Sequence, residues 1–128
     1  IDSSAAKTYR CPSHRGPFTG TANITSYIFN GASTAFSRRA ATFRLSEFFR
    51  QDSVLFWESE ERGGRNMAAP WNDGGSFPDE GLTKRHADGA TLAYVDGSSH
   101  WWTQATYSSE LLRSPGQLWC APDTRDGH

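Results

Sequence analysis

This chain lacks any apolar run long enough to cross a bilayer. Its longest, such as Val54 to Trp57, are a few residues, against the roughly 18 that a membrane helix needs. The opening IDSSAAKTYR is polar and has neither the charged n-region nor the apolar h-region of a secretory signal. Charge of one sign is missing as well. The 13 Lys and Arg nearly balance the 14 Asp and Glu and are scattered, so no basic field suits a phosphate backbone and nucleic acid is not an expected partner. Catalytic signatures are equally scarce. There is no Gly-x-Ser-x-Gly elbow, no phosphate-cradling loop and no dinucleotide fingerprint; Gly16, Gly20 and Gly31 read as turn glycines at unrelated spacing. With no repeat, low-complexity tract or linker, residues 1–128 read as one domain, and 36% hydrophobic residues give it a modest core.

Cysteine is nearly absent, at two residues. Neither sits in a Cys-x-x-Cys pair, and no nearby histidine spacing resembles a zinc site. Cys11 near the start and Cys120 near the end suit a disulfide closing almost the whole chain. Such a bridge is worth about 4 to 5 kcal/mol in the chain-entropy model. It requires an oxidising compartment, and the alternative is two separate buried thiols.

Aromatic residues are plentiful, with five Trp, eight Phe and four Tyr to supply core area. The pattern along the chain predicts a β-rich α+β domain. Ile24 to Phe29 reads as a strand ending at the turn signal Asn30-Gly31. Residues 42–51, TFRLSEFFRQ, read as a short helix that Thr42 or Ser46 could cap. Ser53 to Glu58 is a second strand, and Gly63 to Gly81 is too rich in turn residues to form an element. A helical turn is expected at Ser108 to Arg113, and Gln117 to Ala121 should return Trp119 and Cys120 to the body.

The most telling stretch is HADGATLAYVDGSSHWW, from His86 to Trp102. Asp96-Gly97 fits a two-residue hairpin turn, since both central residues there need positive φ. That turn pairs Val95 with Ser98, Tyr94 with Ser99, Ala93 with His100, Leu92 with Trp101 and Thr91 with Trp102. Leu92, Tyr94 and Trp101 then share one face, and Trp102 lies on the other.

His86, nine residues and then Asp96-Gly97 resembles the signature of the prepilin-type His-x9-Asp-Gly proteins, which are pseudopilin-like. Other segments match in the same order. YRCPSHRG resembles the family's Cys-Pro-Ser segment, TSYIFNG its Ser-Tyr-x-x-Asn segment, LSEFFRQDSVLFWE its short helix and apolar strand, and QLWCAPDTRDGH its Leu-Trp-Cys-x-Pro ending. The resemblance covers nearly the whole chain and implies an α/β-roll pilin domain, an antiparallel sheet that packs under a long N-terminal helix. That helix anchors such proteins in the inner membrane, and no segment of this sequence matches it, so the resemblance implies that the sequence is the soluble portion of a longer chain, with a member that lacks the helix as the alternative. The implied setting is the periplasm or cell surface, and the implied partners are other pilin-like subunits or the secretion machinery of a type II or type IV pilus-like system.

His86 is expected to be structural, its ring holding the loop before the hairpin through a backbone carbonyl, Asp88 or Asp96. His14 and His128 lie in polar terminal segments. Paired carboxylates occur at Glu58, Glu60 and Glu61 and at Asp79 and Glu80, in settings that do not look apolar. No catalytic residue and no cofactor is therefore expected. The pseudopilin resemblance draws attention to calcium, for which Asp79, Asp88 and Asp96 are the candidate oxygen donors, with solvated turn acids as the plainer reading. Two competing functions remain. A secreted carbohydrate-binding module would use a Trp platform, for which Trp71 is the best candidate, and a small hydrolase would use His86 with a nearby acid; Trp71 and Trp102 are the candidate contact surface, which would equally suit a subunit interface.

Overall fold

The computed structural model describes residues 8–14, 25–38, 43–59 and 75–128. They form a small α+β fold: strands β1 (Ile28–Asn30), β2 (Val54–Trp57), β3 (Gly75–Ser76), β4 (Gly89–Tyr94) and β5 (Ser99–Thr103), then helix α1 (Gln104–Leu111). The sheet order is β3-β1-β2-β4-β5. Four strands pair antiparallel, and the two-residue β3 joins the β1 edge in parallel. Among the described residues, no helix is long and apolar enough to cross a membrane.

Strand alternation places one face of the sheet against the core. Ile28 pairs with Trp57, which pairs with Leu92, and all three are buried with Val54, Ala90, Tyr94, Leu82, Leu118 and Tyr107 of α1. Val54 and Trp57 are three residues apart, a spacing that would put them on opposite faces of a regular strand. A register shift between Val54 and Phe56 absorbs the odd residue and turns both inward. A second buried cluster, built around Phe36, Phe48, Val95, Trp119 and Cys120, closes one end.

The hairpin lies where the sequence places it, in a different register. Ala93 pairs with Ser99, Leu92 with His100, Thr91 with Trp101 and Ala90 with Trp102. The loop has three residues instead of two. Val95 and Asp96 donate their N–H groups to Ser53 and Gln51 of the segment before β2, so Tyr94 closes the hairpin by accepting from Gly97 (3.0 Å) and donating to Ser98 (3.0 Å). Gly97 takes the left-handed position that such loops need, at φ 84°. The Asp96 carboxylate accepts from the Ser98 N–H at 2.8 Å and from its hydroxyl at 2.6 Å. This one-residue slip exchanges the tryptophans. Trp102 is half-buried on the core side against Tyr94 and Tyr107, and Trp101 faces outward.

Asn30 ends β1 inside the protein. Its side-chain N–H2 donates to the carbonyls of Val54 (2.9 Å) and Leu118 (3.0 Å), and its Oδ1 accepts from the Ala32 N–H (3.0 Å), which caps the 3-10 helix Gly31–Ser37. One buried amide thereby joins three segments.

Other expectations change in detail. The helix read over 42–51 is a single 3-10 turn, Leu45–Glu47, among its described residues. The helical turn read at Ser108 to Arg113 begins earlier, because the Thr103 hydroxyl caps α1 by accepting from the Thr106 N–H at 3.0 Å. The expected disulfide is not formed. Cys120 lies in the second buried cluster near Asn30, Cys11 lies beside His86, and both are free thiols.

Two outcomes are expected. Asn30→Ala orphans two buried carbonyls and an N–H and should cost about 2 to 4 kcal/mol in denaturant unfolding; a loss below 1 kcal/mol contradicts the tie. Burial pushes the Cys120 thiol from 9.0 to about 12 and the Tyr94 phenol from 10.0 to about 12. From pH 9 upward the unfolded chain therefore holds fewer protons than the folded one. These two groups leave stability unchanged below about pH 8, and above pH 9 it should fall by up to about 1.4 kcal/mol per pH unit for each, whereas an unchanged unfolding midpoint from pH 8 to 11 contradicts this.

Candidate functional site

Three distant segments meet on the sheet face turned away from the core. The first is Cys11-Pro12-Ser13-His14, a turn in which the His14 N–H donates to the Cys11 carbonyl at 2.9 Å. Pro12 supplies the fixed φ that the second turn position favours. Ser26 holds this turn against the start of β1. Its hydroxyl accepts from the Cys11 N–H at 3.0 Å and lies 2.8 Å from His14 Nδ1, and its own N–H donates to the Tyr9 carbonyl at 2.8 Å.

The second segment supplies Glu58. It directly follows the inward-facing Trp57, so alternation sends its carboxylate to the outer face, as it does Tyr27 before Ile28. Glu58 is only 1% exposed.

The third is the turn before β4. Ala87 and Asp88 both have left-handed φ, 53° and 64°, which costs about 1 to 2 kcal/mol per non-glycine residue. The surroundings hold them there. The His86 N–H donates to the Gly89 carbonyl (3.0 Å) and the Trp101 indole donates to the His86 carbonyl (2.8 Å). Gly89 makes this closure possible, since a Cβ there would lie 2.0 Å from the Trp102 carbonyl oxygen and 2.9 Å from the Trp101 ring.

His86 Nε2 lies 3.0 Å from Glu58 Oε2 and 3.3 Å from Cys11 Sγ, and Arg85 Nη1 lies 3.5 Å from Glu58 Oε1. Burial, then the contact with Glu58, pushes the Cys11 thiol up, while the Ser13 N–H and the Arg85 charge partly offset this. Burial, followed by Cys11 and Glu58, pushes the Tyr27 phenol up too. A nucleophile, base and acid relay needs the thiol on one ring nitrogen and the acid on the other. Here both address Nε2. The raised thiol is also the reverse of what activates a cysteine nucleophile.

The geometry suits coordination better than relay. Cys11, Glu58 and His86 offer one sulfur, one oxygen and one nitrogen, all within 4.8 Å of one another, and they are the only such group of three among the described residues.

His86 is held by Glu58 and Cys11, not by the expected Asp88 or Asp96. Asp88 is exposed and 3.8 Å from Lys84, Asp96 is in the hairpin loop, and Asp79 lies in the 3-10 turn Pro78–Glu80, so the three calcium candidates do not converge. Among the described tryptophans, Trp57 and Trp119 are buried and Trp102 faces the core, which leaves Trp101 as the exposed one. Trp71 lies outside the described residues.

Sequence reasoning missed the cluster for two reasons. Cys11 and His86 are 75 residues apart, and Glu58 heads a charged run that reads as solvated. The usable signal was alternation, which places Glu58 opposite Trp57. Four of the segments that carry the family resemblance meet here, through Cys11, Ser26, Glu58 and His86.

Comparison with family models, with curated proteins and with solved structures finds no match for this chain.

Removing the imidazole leaves a buried carboxylate short of a partner, so His86→Ala should cost about 2 kcal/mol. In a double-mutant cycle with Glu58→Ala the coupling should reach about 1 kcal/mol, and simple additivity of the two losses contradicts the contact.

Proposed function

We propose that this domain is a non-catalytic, pilin- or pseudopilin-like structural subunit of a type II secretion or type IV pilus-like system, acting outside the cytoplasm by packing against other subunits or the secretion machinery. One observation carries this reading, the apolar character of the outer sheet face. Phe29 and Phe56 meet edge to face on paired strands with ring centroids 4.9 Å apart, and Ala93 lies next to Phe56 on β4. Phe56 is 38% exposed, and Trp101 on the same face is 48% exposed. Aromatic residues grouped on an exposed sheet face are typical of surfaces covered in an assembly.

In the α/β roll of pilins an apolar N-terminal helix covers such a face. The described residues 8–14 reach the sheet on this side, through Cys11 beside His86 and Glu58, the side that the N-terminal helix implied by the resemblance would cover. The ordering of motifs around His86 and Asp96-Gly97 supports the same class. Location outside the cytoplasm rests on that resemblance; two free thiols add nothing to it.

The test is Phe56→Asp in the full-length parent protein. Because the ring is more than a third exposed, the domain should keep its circular dichroism and lose only the few degrees of unfolding midpoint that the Phe29 contact is worth. Incorporation into sheared pilus or pseudopilus particles, read by immunoblot, should fall about tenfold or more, the effect of losing an aromatic anchor worth about 1.4 kcal/mol or more. Undiminished incorporation, or turnover of a substrate that depends on His86, contradicts the proposal.

A further inference from the structure

We propose that Cys11, Glu58 and His86 bind a single zinc-class divalent cation, which fastens residues 8–14 to the outer face of the sheet. The inference is independent of the assembly role.

Its first support is the donor set. A thiol, an imidazole nitrogen and a carboxylate oxygen are the three side-chain ligand types of protein zinc sites, whereas calcium and magnesium select oxygen alone. The second is distance. Tetrahedral ligands about 2.0 to 2.3 Å from zinc stand roughly 3.3 to 3.6 Å from one another. The Nε2 to Sγ and Nε2 to Oε2 separations, 3.3 and 3.0 Å, need an opening of only a few tenths of an ångström.

The third is electrostatic. The Glu58 side chain is 2% exposed, and the neighbouring cation, Arg85, lies at 3.5 Å from the other carboxylate oxygen. Oε2 is thereby left facing Nε2 and Sγ, where a divalent cation would offset its buried charge. On loading, the thiol releases its proton to solvent and no electron moves.

Supporting contacts are already in place around each ligand. The Ser13 N–H meets the Cys11 sulfur, Arg85 holds Glu58 Oε1, and the Trp101 indole fixes the His86 backbone. His86, with its side chain 35% exposed, provides the entry side, and water takes the fourth coordination position there.

The experiment titrates the metal-freed protein with Zn2+ against a chromophoric chelator, and with Co2+ as a spectroscopic probe. One equivalent should bind. The Co2+ protein should show tetrahedral d–d bands with a thiolate charge-transfer band, and this band should persist in Cys120→Ala. Cys11→Ser and His86→Gln should each weaken Zn2+ binding by at least about 100-fold, more than an outer-shell partner is worth. A Co2+ spectrum on the wild-type chain that lacks the thiolate band, or Zn2+ affinity unchanged in Cys11→Ser and His86→Gln, overturns the proposal. The wild-type spectrum decides the matter even where a variant fails to fold.

Discussion

A carboxylate with no access to water must be matched by its surroundings, and Glu58 imposes that requirement on the open side of this sheet. Removing an ion from water costs several kcal/mol unless partners restore what solvation supplied. Here the partners come from far along the chain: His86 and Arg85 from the turn before β4, and Cys11 from the N-terminal segment. Where Cys11 sits, Ser26 and Tyr9 must follow, because their hydrogen bonds run through the same turn. Where His86 sits, Ala87 and Asp88 must accept left-handed backbone, and Trp101 must close over Gly89. One desolvated charge thus sets the path of three segments.

The opposite side of the sheet is organised by different physics. Ile28, Trp57, Leu92 and Tyr107 contribute by area and close packing, with Asn30 as the polar tie that lets β1 end inside the protein. The bulge in β2 serves both sides at once. It turns Val54 and Trp57 inward, and the alternation it sets up past Trp57 delivers Glu58 outward.

Much of the fold was legible because periodicity and turn chemistry are local. Residues 54–57, the β4 and β5 hairpin and the buried return of Trp119 and Cys120 follow from apolar patterning and from Asp96-Gly97. The register was not legible, since Asp-Gly serves two- and three-residue loops alike. The choice was made by Gln51 and Ser53, which accept the N–H groups of Asp96 and Val95 from across the sheet. That non-local choice exchanged Trp101 with Trp102 and so decided which aromatic is exposed. Helix α1 was read late because its sequence, QATYSSEL, has little apolar periodicity and is announced by the Thr103 cap. Cysteine arithmetic misled for a similar reason. Two cysteines at opposite ends of a chain suggest a bridge, but each thiol has its own buried neighbourhood. A site built from residues 11, 58 and 86 carries no spacing rule, and only the fold assembles it.

The central claim is that Glu58 clamps residues 8–14 to the sheet. Amide hydrogen exchange on the wild-type protein and on Glu58→Ala tests it most directly. The account predicts that Cys11, His14 and Ser26 lose protection in the variant while the β4 and β5 amides keep theirs. Unchanged protection at Cys11, His14 and Ser26 would contradict it.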